Sequence, residues 1–450
     1  MRIYRSRSVA GAAVAVAGMS LLMTACGAGS SSKSSSGGSS GGSAATVKGD
    51  TTGITGDTIK VGTHMPLTGL AAPGYSEIPT GQKAYFDYLN ANGGVCGKKV
   101  DYKVLDDGYN PTNTSSVTNQ LVLQDKIFAM LGGLGTPTHS AVIDLLNESK
   151  VPDLFVSSGA LKWDEPSKYP YTFGWQPNYT VEGKVLGKYI KDNFPNAKVG
   201  LFGQGDDFGR DGFAGAKQFL GNQVVAEVTY TSGNTDVAPQ ISQLQQKGAD
   251  LVIGFNVPQY TALSQLVALK LNYKPTWFYS NVGADPNLVG ALLKNFSKGA
   301  VAGTGALENV YTTQYYPTID LADNPWVQQF SKIWSANGLS GKPMTNFVVY
   351  GMMEAYTFTA AVAADCKNLN RESIVKTIEE KGASLTGPWL APLEYSKDSH
   401  RGISGVRVIQ YTGGKSVEKT KVQTTDSKTG PLKEYTQPPA TPSNNGIPKG

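Results

Sequence analysis

The chain has 450 residues, of which 40% are hydrophobic and 17% are charged, and its 40 Lys and Arg against 35 Asp and Glu leave a net charge of +5. This composition can bury a large core, and the length favours more than one domain. No run of Lys and Arg forms the clustered basic surface typical of nucleic-acid-binding proteins, so we expect no nucleic-acid partner.

The first 25 residues have the pattern of an export signal. Arg2, Arg5 and Arg7 precede the almost wholly small or apolar stretch 9–23. That stretch is shorter than the roughly 20 residues that a membrane-spanning helix needs, and no later segment is apolar enough to span a bilayer. The sequence therefore predicts a signal peptide over residues 1–25.

The end of this signal, Met23-Thr24-Ala25-Cys26, resembles the bacterial lipobox, in which the cysteine becomes the acylated first residue of the mature protein. Met23 stands where Leu is usual. The alternative is an ordinary leader with an unrelated cysteine. Residues 27–43 are nearly all Gly and Ser, a flexible coil that would let a globular body stand away from a surface. We therefore expect lipidation at Cys26 and a tether over 26–56.

From residue 57 onward, short β-rich segments alternate with longer amphipathic ones, a pattern that builds parallel sheets through right-handed crossovers. The predicted strands form two series, 59–64, 100–105, 127–132 and 152–156, then 199–203, 224–231, 250–255 and 276–280. The clearest predicted helices are 80–92, 324–336, 344–364 and 371–381. Two series of strands indicate an α/β protein with two lobes. Beyond residue 413 the chain is polar and Pro-rich, which predicts a loosely ordered tail from Lys415.

Two glycine-rich turns follow predicted strands. In the first, 132–138, Thr136 can cap a helix with Pro137 at its first position, and a small carboxylate would fit there. The alternative is a structural cap without a ligand. The second turn, 203–209, lacks the nucleotide-binding spacing, and Asp206 and Asp207 would repel a pyrophosphate. It is interpreted as a turn that lines a cleft.

Patterns of catalytic and metal-binding residues are largely missing from the sequence. His64, His139 and His400 are scattered, neither H-E-x-x-H nor G-x-S-x-G occurs, and three cysteines are too few for a thiolate zinc cluster. We expect no enzymatic activity, no metal and no cofactor. Cys96 and Cys366 in an exported chain suggest a disulfide, the alternative being two separate buried thiols.

Several short motifs occur in a characteristic order: Ile59-Lys60-Val61-Gly62, Pro66-Leu67-Thr68-Gly69, Asn92-Gly93-Gly94-Val95-Cys96-Gly97, Asp106-Asp107, Gly132-Gly133 and Asp206-Asp207-Phe208-Gly209. With the lipoprotein leader, this order closely resembles the leucine/isoleucine/valine-type solute-binding proteins of bacterial ABC importers. The resemblance spans roughly residues 57–412.

The resemblance implies a type I periplasmic-binding-protein fold, with two α/β lobes joined by three crossings. Lobe 1 would comprise 57–176 and 311–386, lobe 2 would comprise 177–310 and 387–414, and a polar tail would occupy 415–450. A small molecule would bind between the lobes, and their closure would be read by permease subunits in the membrane. We expect a monomer, held on the outer face of the bacterial cell membrane by its lipid anchor.

The resemblance also points to the ligand site. Relatives that bind amino acids hold the carboxylate with the loop matching Gly135–Thr138 and with the segment matching Ser157–Leu161, where Leu161 replaces a family Thr. The acid that meets the ammonium group aligns with Asn281, and a second acidic position falls near Tyr179. Loss of a buried partner for a charge costs roughly 3–5 kcal/mol. We therefore predict poor binding of ordinary α-amino acids, unless Glu182 or Asp285 replaces the missing carboxylate.

Aromatic and amide side chains should instead surround a neutral or anionic organic ligand, and Trp163 and Trp175 belong to the same aromatic group. The predicted ligand-binding residues are Tyr75, Thr136, Thr138, Ser157, Gly159, Tyr179, Phe208, Tyr260 and Asn281. The leading hypothesis is a substrate-binding lipoprotein of an ABC importer. The alternatives are a ligand-sensing lipoprotein that signals to a partner and, third, an extracytoplasmic enzyme.

Overall fold

The computed structural model describes residues 49–301, 307–443 and 445–449. The predicted signal peptide, Cys26 and most of the tether lie outside the described residues. Within those ranges, none of the helices combines the length and the apolar character that crossing a membrane requires.

The first sheet is parallel apart from one short strand. Its order is β3-β2-β4-β5-β6, with β1 antiparallel on β2. The central strands β4 and β5 are buried along their whole length, as strands covered on both faces must be. The strands are β1 Ile54–Thr55, β2 Thr58–Met65, β3 Lys99–Asp106, β4 Ala129–Leu131, β5 Asp153–Val156 and β6 Thr172–Gly174.

The second sheet repeats this order as β8-β7-β9-β10-β11, again parallel. Its strands are β7 Val199–Gln204, β8 Val224–Tyr230, β9 Leu251–Phe255, β10 Thr276–Tyr279 and β11 Tyr311–Gln314. A separate hairpin follows, with β12 Leu393–Ser396 and β13 Ser399–Ile403. The antiparallel strands β14 Gly405–Thr412, β15 Lys415–Glu418, β16 Val422–Thr424 and β17 Lys433–Tyr435 then extend the second sheet beyond β11. The predicted two-lobed α/β fold is confirmed, one lobe around each sheet.

Seven of the helices begin at an Asn, Asp or Thr whose side chain accepts a hydrogen bond from the first turn. The helices are α1 Ala72–Tyr75, α2 Ile78–Ala91, α3 Pro111–Asn119, α4 Thr136–Ser140, α5 Ile143–Glu148, α6 Tyr179–Asn193, α7 Asp207–Leu220, α8 Ala238–Gln246, α9 Pro258–Lys270, α10 Pro286–Phe296, α11 Pro325–Ala336, α12 Asn346–Ala363 and α13 Arg371–Lys381. Short 3-10 turns lie at Leu161–Asp164, Gly221–Gln223, Asn281–Gly283 and Gly382–Ser384, and a π turn at Gln120–Gln124.

Helix α12 is the most deeply buried helix of the first lobe and packs on α2. Two glycines allow this close approach, because a Cβ on Gly81 would lie 2.1 Å from the Val348 carbonyl oxygen and one on Gly351 would lie 2.0 Å from that of Ile78. A disulfide joins Cys96, between α2 and β3, to Cys366, just after α12, with the two Cα atoms 5.2 Å apart. This bond ties the far end of α12 to the edge of the first lobe.

The chain passes between the lobes three times, between β6 and α6, between β11 and α11, and at Ser404 between β13 and β14. The hairpin of β12 and β13 lies beside the first sheet, where the Tyr395 hydroxyl donates to the Gly174 carbonyl at 2.7 Å. These passages place the strand ends of both sheets against each other.

The prediction of a loosely ordered tail from Lys415 is wrong. Strands β15, β16 and β17 form there, and the buried Lys184 ammonium donates to oxygens of the loop 425–430. The chain then returns to the first lobe, where Trp326 Nε1 donates to the Ala440 carbonyl at 2.5 Å and the Tyr85 hydroxyl to that of Gly446 at 2.9 Å. Strands that join a sheet through backbone hydrogen bonds need no apolar pattern. The polar composition of the tail therefore did not predict that it would be folded.

Candidate functional site

A cavity with an empty volume of about 560 Å³ lies between the two lobes, where the carboxyl ends of both sets of parallel strands meet. This is where open α/β sheets usually bind ligands. The first lobe contributes Tyr75, Ile78, Tyr109, Leu134, Gly135, Thr136, Ser157, Phe347 and Tyr350, and the first crossing contributes Gln176. The second lobe and the second crossing contribute Tyr179, Phe208, Val257, Asn281, Val282, Tyr315 and Tyr316.

Six of the nine residues predicted to bind ligand line this cavity: Tyr75, Thr136, Ser157, Tyr179, Phe208 and Asn281. All but Tyr75, the last residue of α1, follow a strand or lie in the first turn of the helix after one, and strand ends share one edge of a parallel sheet. The arrangement of the chain therefore brings together side chains that are up to about two hundred residues apart in the sequence.

Thr138, Gly159 and Tyr260 do not line the cavity. The Thr138 hydroxyl bonds to the Leu134 carbonyl at 2.5 Å inside its own turn. Gly159 lies behind Tyr179, because a Cβ there would be 2.9 Å from the tyrosine ring. The Tyr260 ring stacks on another tyrosine, Tyr230, with centroids 3.7 Å apart, and it lines a second, more open cleft.

The glycine-rich turn differs from its prediction in one detail. Thr136 is the first residue of α4, and the N-cap is Gly135, whose φ of 101° requires a residue without a side chain. The Thr136 hydroxyl instead pairs with the Ser158 hydroxyl at 2.8 Å, and the Tyr179 hydroxyl donates to the same Ser158 oxygen at 3.4 Å. Hydroxyl groups from both lobes thus meet at this wall of the cavity.

Glu354 lies immediately behind the cavity wall. Its Oε1 accepts a hydrogen bond from the Ser157 hydroxyl at 2.5 Å, and its Oε2 accepts one from Gln82 Nε2 at 2.9 Å. The side chain is fully buried, and this burial raises the pKa of the Glu354 carboxyl well above its ordinary value. Glu354 orients Ser157 and does not itself line the cavity.

The two carboxylates that could have replaced the missing ammonium partner are engaged elsewhere. Glu182 accepts hydrogen bonds from the Asn281 backbone and side-chain amides, at 2.7 and 2.8 Å, and from the Ser280 and Thr313 hydroxyls. Burial raises the pKa of Glu182, although these bonds oppose the shift. Asp285 caps α10 and accepts from Asn346 Nδ2 at 2.8 Å. Within the described part of the chain, no carboxylate lines the cavity.

Several polar contacts hold the lobes together around the cavity, in addition to the bond between Tyr179 and Ser158. Lys162 Nζ pairs with Asp207 at 2.6 Å, and the Leu161 amide donates to Asp211 Oδ2 at 2.9 Å. Across the opposite side, Asn346 of the first lobe bonds to Asp285 of the second. The structure is therefore a closed form, in which the lobes touch around a partly open cavity that the ends of both sheets face.

The sequence did not identify several lining residues. Tyr109 follows the Asp106-Asp107 motif at a strand end, and Gln176 and Tyr315 lie at the predicted crossings. Their positions in the sequence could therefore have indicated that they line the cavity. Phe347 and Tyr350 had no comparable signal, because they belong to the first turns of a helix whose direction depends on packing. Trp163 and Trp175 were predicted to belong to the aromatic group but do not line the cavity. Trp163 packs against His139, and Trp175 donates a hydrogen bond to the Thr357 hydroxyl.

His64, in β2, and His139, in α4, form a buried chain with two aspartates. Asp107 contacts His64 Nδ1 at 2.8 Å, His64 Nε2 contacts His139 Nδ1 at 3.0 Å, and His139 Nε2 contacts Asp153 at 2.8 Å. Burial lowers the pKa of His64. Neither histidine lines the cavity, so both have the structural role that isolated histidines most often have. In residues 49–301, 307–443 and 445–449, no group of three or more potential ligands could hold a metal ion.

Comparisons with known proteins agree with this arrangement. A profile of the family described as "Periplasmic binding protein" matches residues 58–415. The chain is 26% identical over 312 residues to Leu/Ile/Val-binding protein homolog 3 of Brucella melitensis, an alignment that covers 68% of this chain and 78% of that protein. It covers 53% of the length of Leu/Ile/Val-binding protein homolog 2 of Brucella abortus, at 27% identity over 198 residues.

Among solved structures, a fatty acid ABC transporter substrate-binding protein from Thermomonospora curvata superimposes with a TM-score of 0.72 at 22% identity, over 86% of this chain and 98% of that one. A branched chain amino acid ABC transporter protein from Thermus thermophilus, with bound valine, gives a TM-score of 0.70 at 20% identity, over 83% and 98%. At these identities the likeness establishes the shared fold, and the two proteins are named for quite different ligands.

Proposed function

This chain belongs to the type I periplasmic binding protein family of the leucine/isoleucine/valine type, whose members are substrate-binding proteins and not enzymes, and from this we propose that it is the lipid-anchored substrate-binding protein of an ABC importer. The observation that carries the proposal is the cavity between the lobes, with lining residues from the strand ends of both. A ligand that touches both lobes favours closure. Closure would present the surface that a permease reads.

The anchor is supported by the Met23-Thr24-Ala25-Cys26 motif and by the Gly/Ser-rich residues that follow it. The test is expression of the full chain in a bacterium with a lipoprotein pathway. We expect the protein in the membrane fraction, with an N-terminal peptide that begins at Cys26 and carries the mass of a lipid. The variant Cys26→Ala should be released from the membrane. Retention of this variant, or an unmodified N-terminus in the parent, would contradict the anchor.

Ligand capture is tested by native mass spectrometry of freshly purified mature protein. A bound small molecule should leave on gentle unfolding and be absent from a preparation refolded in buffer. The importer role is tested by deleting the gene of this protein and measuring the uptake of the identified ligand. Loss of uptake of the identified ligand supports transport. Unchanged uptake, with loss of a transcriptional response to the ligand, would instead support the sensor alternative.

A further inference from the structure

The interlobe cavity is aromatic on most of its sides. Among its seventeen lining residues are six tyrosines and two phenylalanines, and Ile78, Leu134, Val257 and Val282 add aliphatic surface. Aromatic side chains come from both lobes, Tyr75 and Phe347 from the first and Tyr179 and Phe208 from the second. A ligand with an apolar ring would therefore contact both lobes of the closed form.

The same wall lacks any ionic partner for a ligand. None of the residues that line the cavity, as far as the chain is described, carries a formal charge. The nearby cation Lys162 is paired with Asp207, and Glu182 is surrounded by four hydrogen-bond donors. An ammonium or a carboxylate transferred into this space would lose its hydration without gaining a counter-charge.

One lining side chain has an unused donor. Gln176 lies in the first crossing, its side chain is 6% exposed, and its Oε1 accepts a hydrogen bond from the Tyr350 hydroxyl at 3.1 Å. Its Nε2 is buried and has no hydrogen-bond partner within the described chain. Because an unpaired buried N–H is unfavourable, a ligand oxygen that accepts from Gln176 would remove that cost on binding.

From these observations we propose that the cavity selects an uncharged, ring-sized apolar molecule that presents a carbonyl-type oxygen to Gln176. The inference rests on the proposed capture function and narrows the ligand class of the same site. It also explains why a leucine-type fold can lack the carboxylate expected at Asn281: an uncharged ligand has no ammonium group to pair.

The test uses three probes with one carbon skeleton. Hydrocinnamamide is neutral, hydrocinnamate is an anion, and phenylalanine carries both charges. Isothermal titration calorimetry on the refolded mature chain should show the amide binding at least about tenfold more tightly than either charged probe. Leucine serves as an additional charged probe of smaller size.

A variant separates the role of the amide from that of the apolar walls. Gln176→Leu should weaken the binding of hydrocinnamamide by at least about fivefold. The binding of propylbenzene, which has no hydrogen-bond acceptor, should be unchanged or stronger. The exposed substitution Gln246→Leu is the matched control and should change neither affinity. Equal weakening of both probes by Gln176→Leu would overturn the assigned contact.

The remaining outcomes distinguish this inference from the proposed function. Tighter binding of phenylalanine, leucine or hydrocinnamate than of the amide would overturn the ligand class and leave small-molecule capture intact. Binding of none of the probes would also overturn the ligand class. Capture itself fails only if native mass spectrometry of the freshly purified protein shows no bound molecule.

Discussion

The hydroxyl of Ser157 donates a 2.5 Å hydrogen bond to Oε1 of Glu354, which joins the wall of the ligand cavity to a carboxyl group buried within the first lobe. Ser157 follows strand β5 and Glu354 lies on α12, so the bond links two distant parts of the chain. The pKa of Glu354 is raised by burial, and its neighbours are tyrosines and the Gln82 amide. The protonated form of Glu354 is therefore favoured in the folded state.

This relationship predicts a pH-dependent effect of Glu354→Gln on stability. Because the folded-state pKa lies above the ordinary value, the contribution of Glu354 to stability is greatest at low pH, and it falls as the pH rises from the ordinary carboxyl range through the folded-state pKa. Gln mimics the protonated carboxyl at every pH. We expect the variant to match the parent at pH 4 and to exceed it at pH 8, measured as the free energy of urea unfolding. Glu380→Gln, at an exposed position, should show no such difference.

The contact between Lys184 and the C-terminal segment should stabilise the second lobe. Five oxygens of residues 425–430 lie 2.8 to 3.2 Å from Lys184 Nζ and share its three N–H donors. Lys184→Met removes these bonds and leaves the buried Thr425 hydroxyl and several part-buried oxygens without this donor, so we expect a loss of about 1–3 kcal/mol in unfolding free energy. Limited proteolysis should also cut the segment 425–435 faster.

Lys188→Met is the matched control on the same helix, one turn further on. Lys188 is 44% exposed and, among the residues that the structure describes, forms an ion pair with Asp192 alone, so its replacement should cost no more than a few tenths of a kcal/mol. If the two variants lose similar amounts of unfolding free energy, the loop 425–430 does not depend on Lys184.

The disulfide between Cys96 and Cys366 closes a loop across 270 positions of sequence. Replacing both cysteines by Ser should lower the free energy of unfolding by about 2–4 kcal/mol, because the unfolded chain regains conformational freedom. Thiol titration of the unfolded mature parent should find these two cysteines unreactive without reductant. Reactive thiols at both positions, or parent and variant of equal stability, would contradict the prediction.

The pair Lys162 and Asp207 should contribute to closure. The two side chains belong to different lobes and are only 28% and 16% exposed. A double-mutant cycle with Lys162→Met and Asp207→Asn should give a coupling of about 0.2–1 kcal/mol, and Lys162→Met should raise the radius of gyration measured by small-angle X-ray scattering. Lys83→Met breaks an exposed pair inside α2 and should leave that radius unchanged.

Much of the architecture followed from local patterns. Helix α13 has the predicted bounds, strand β7 differs from its prediction by one residue at one end, and strand β2 differs by one residue at each end. These segments were predictable because apolar periodicity, caps and glycines act over a few neighbouring residues. Thr136, Ser157 and Asn281 were predictable as cavity residues for a related reason, since the ends of parallel strands share one edge.

The alternation of strands and helices and the resemblance to binding proteins were determined by the sequence itself, as was the prediction of an export signal, because each depends on residues close together in the chain. Only the tertiary structure decided that Tyr350 and Phe347 line the cavity and that Thr138 and Tyr260 do not. A side chain's direction depends on what packs behind it. The same holds for Lys184 and the tail, where order comes from contacts between residues about 240 positions apart.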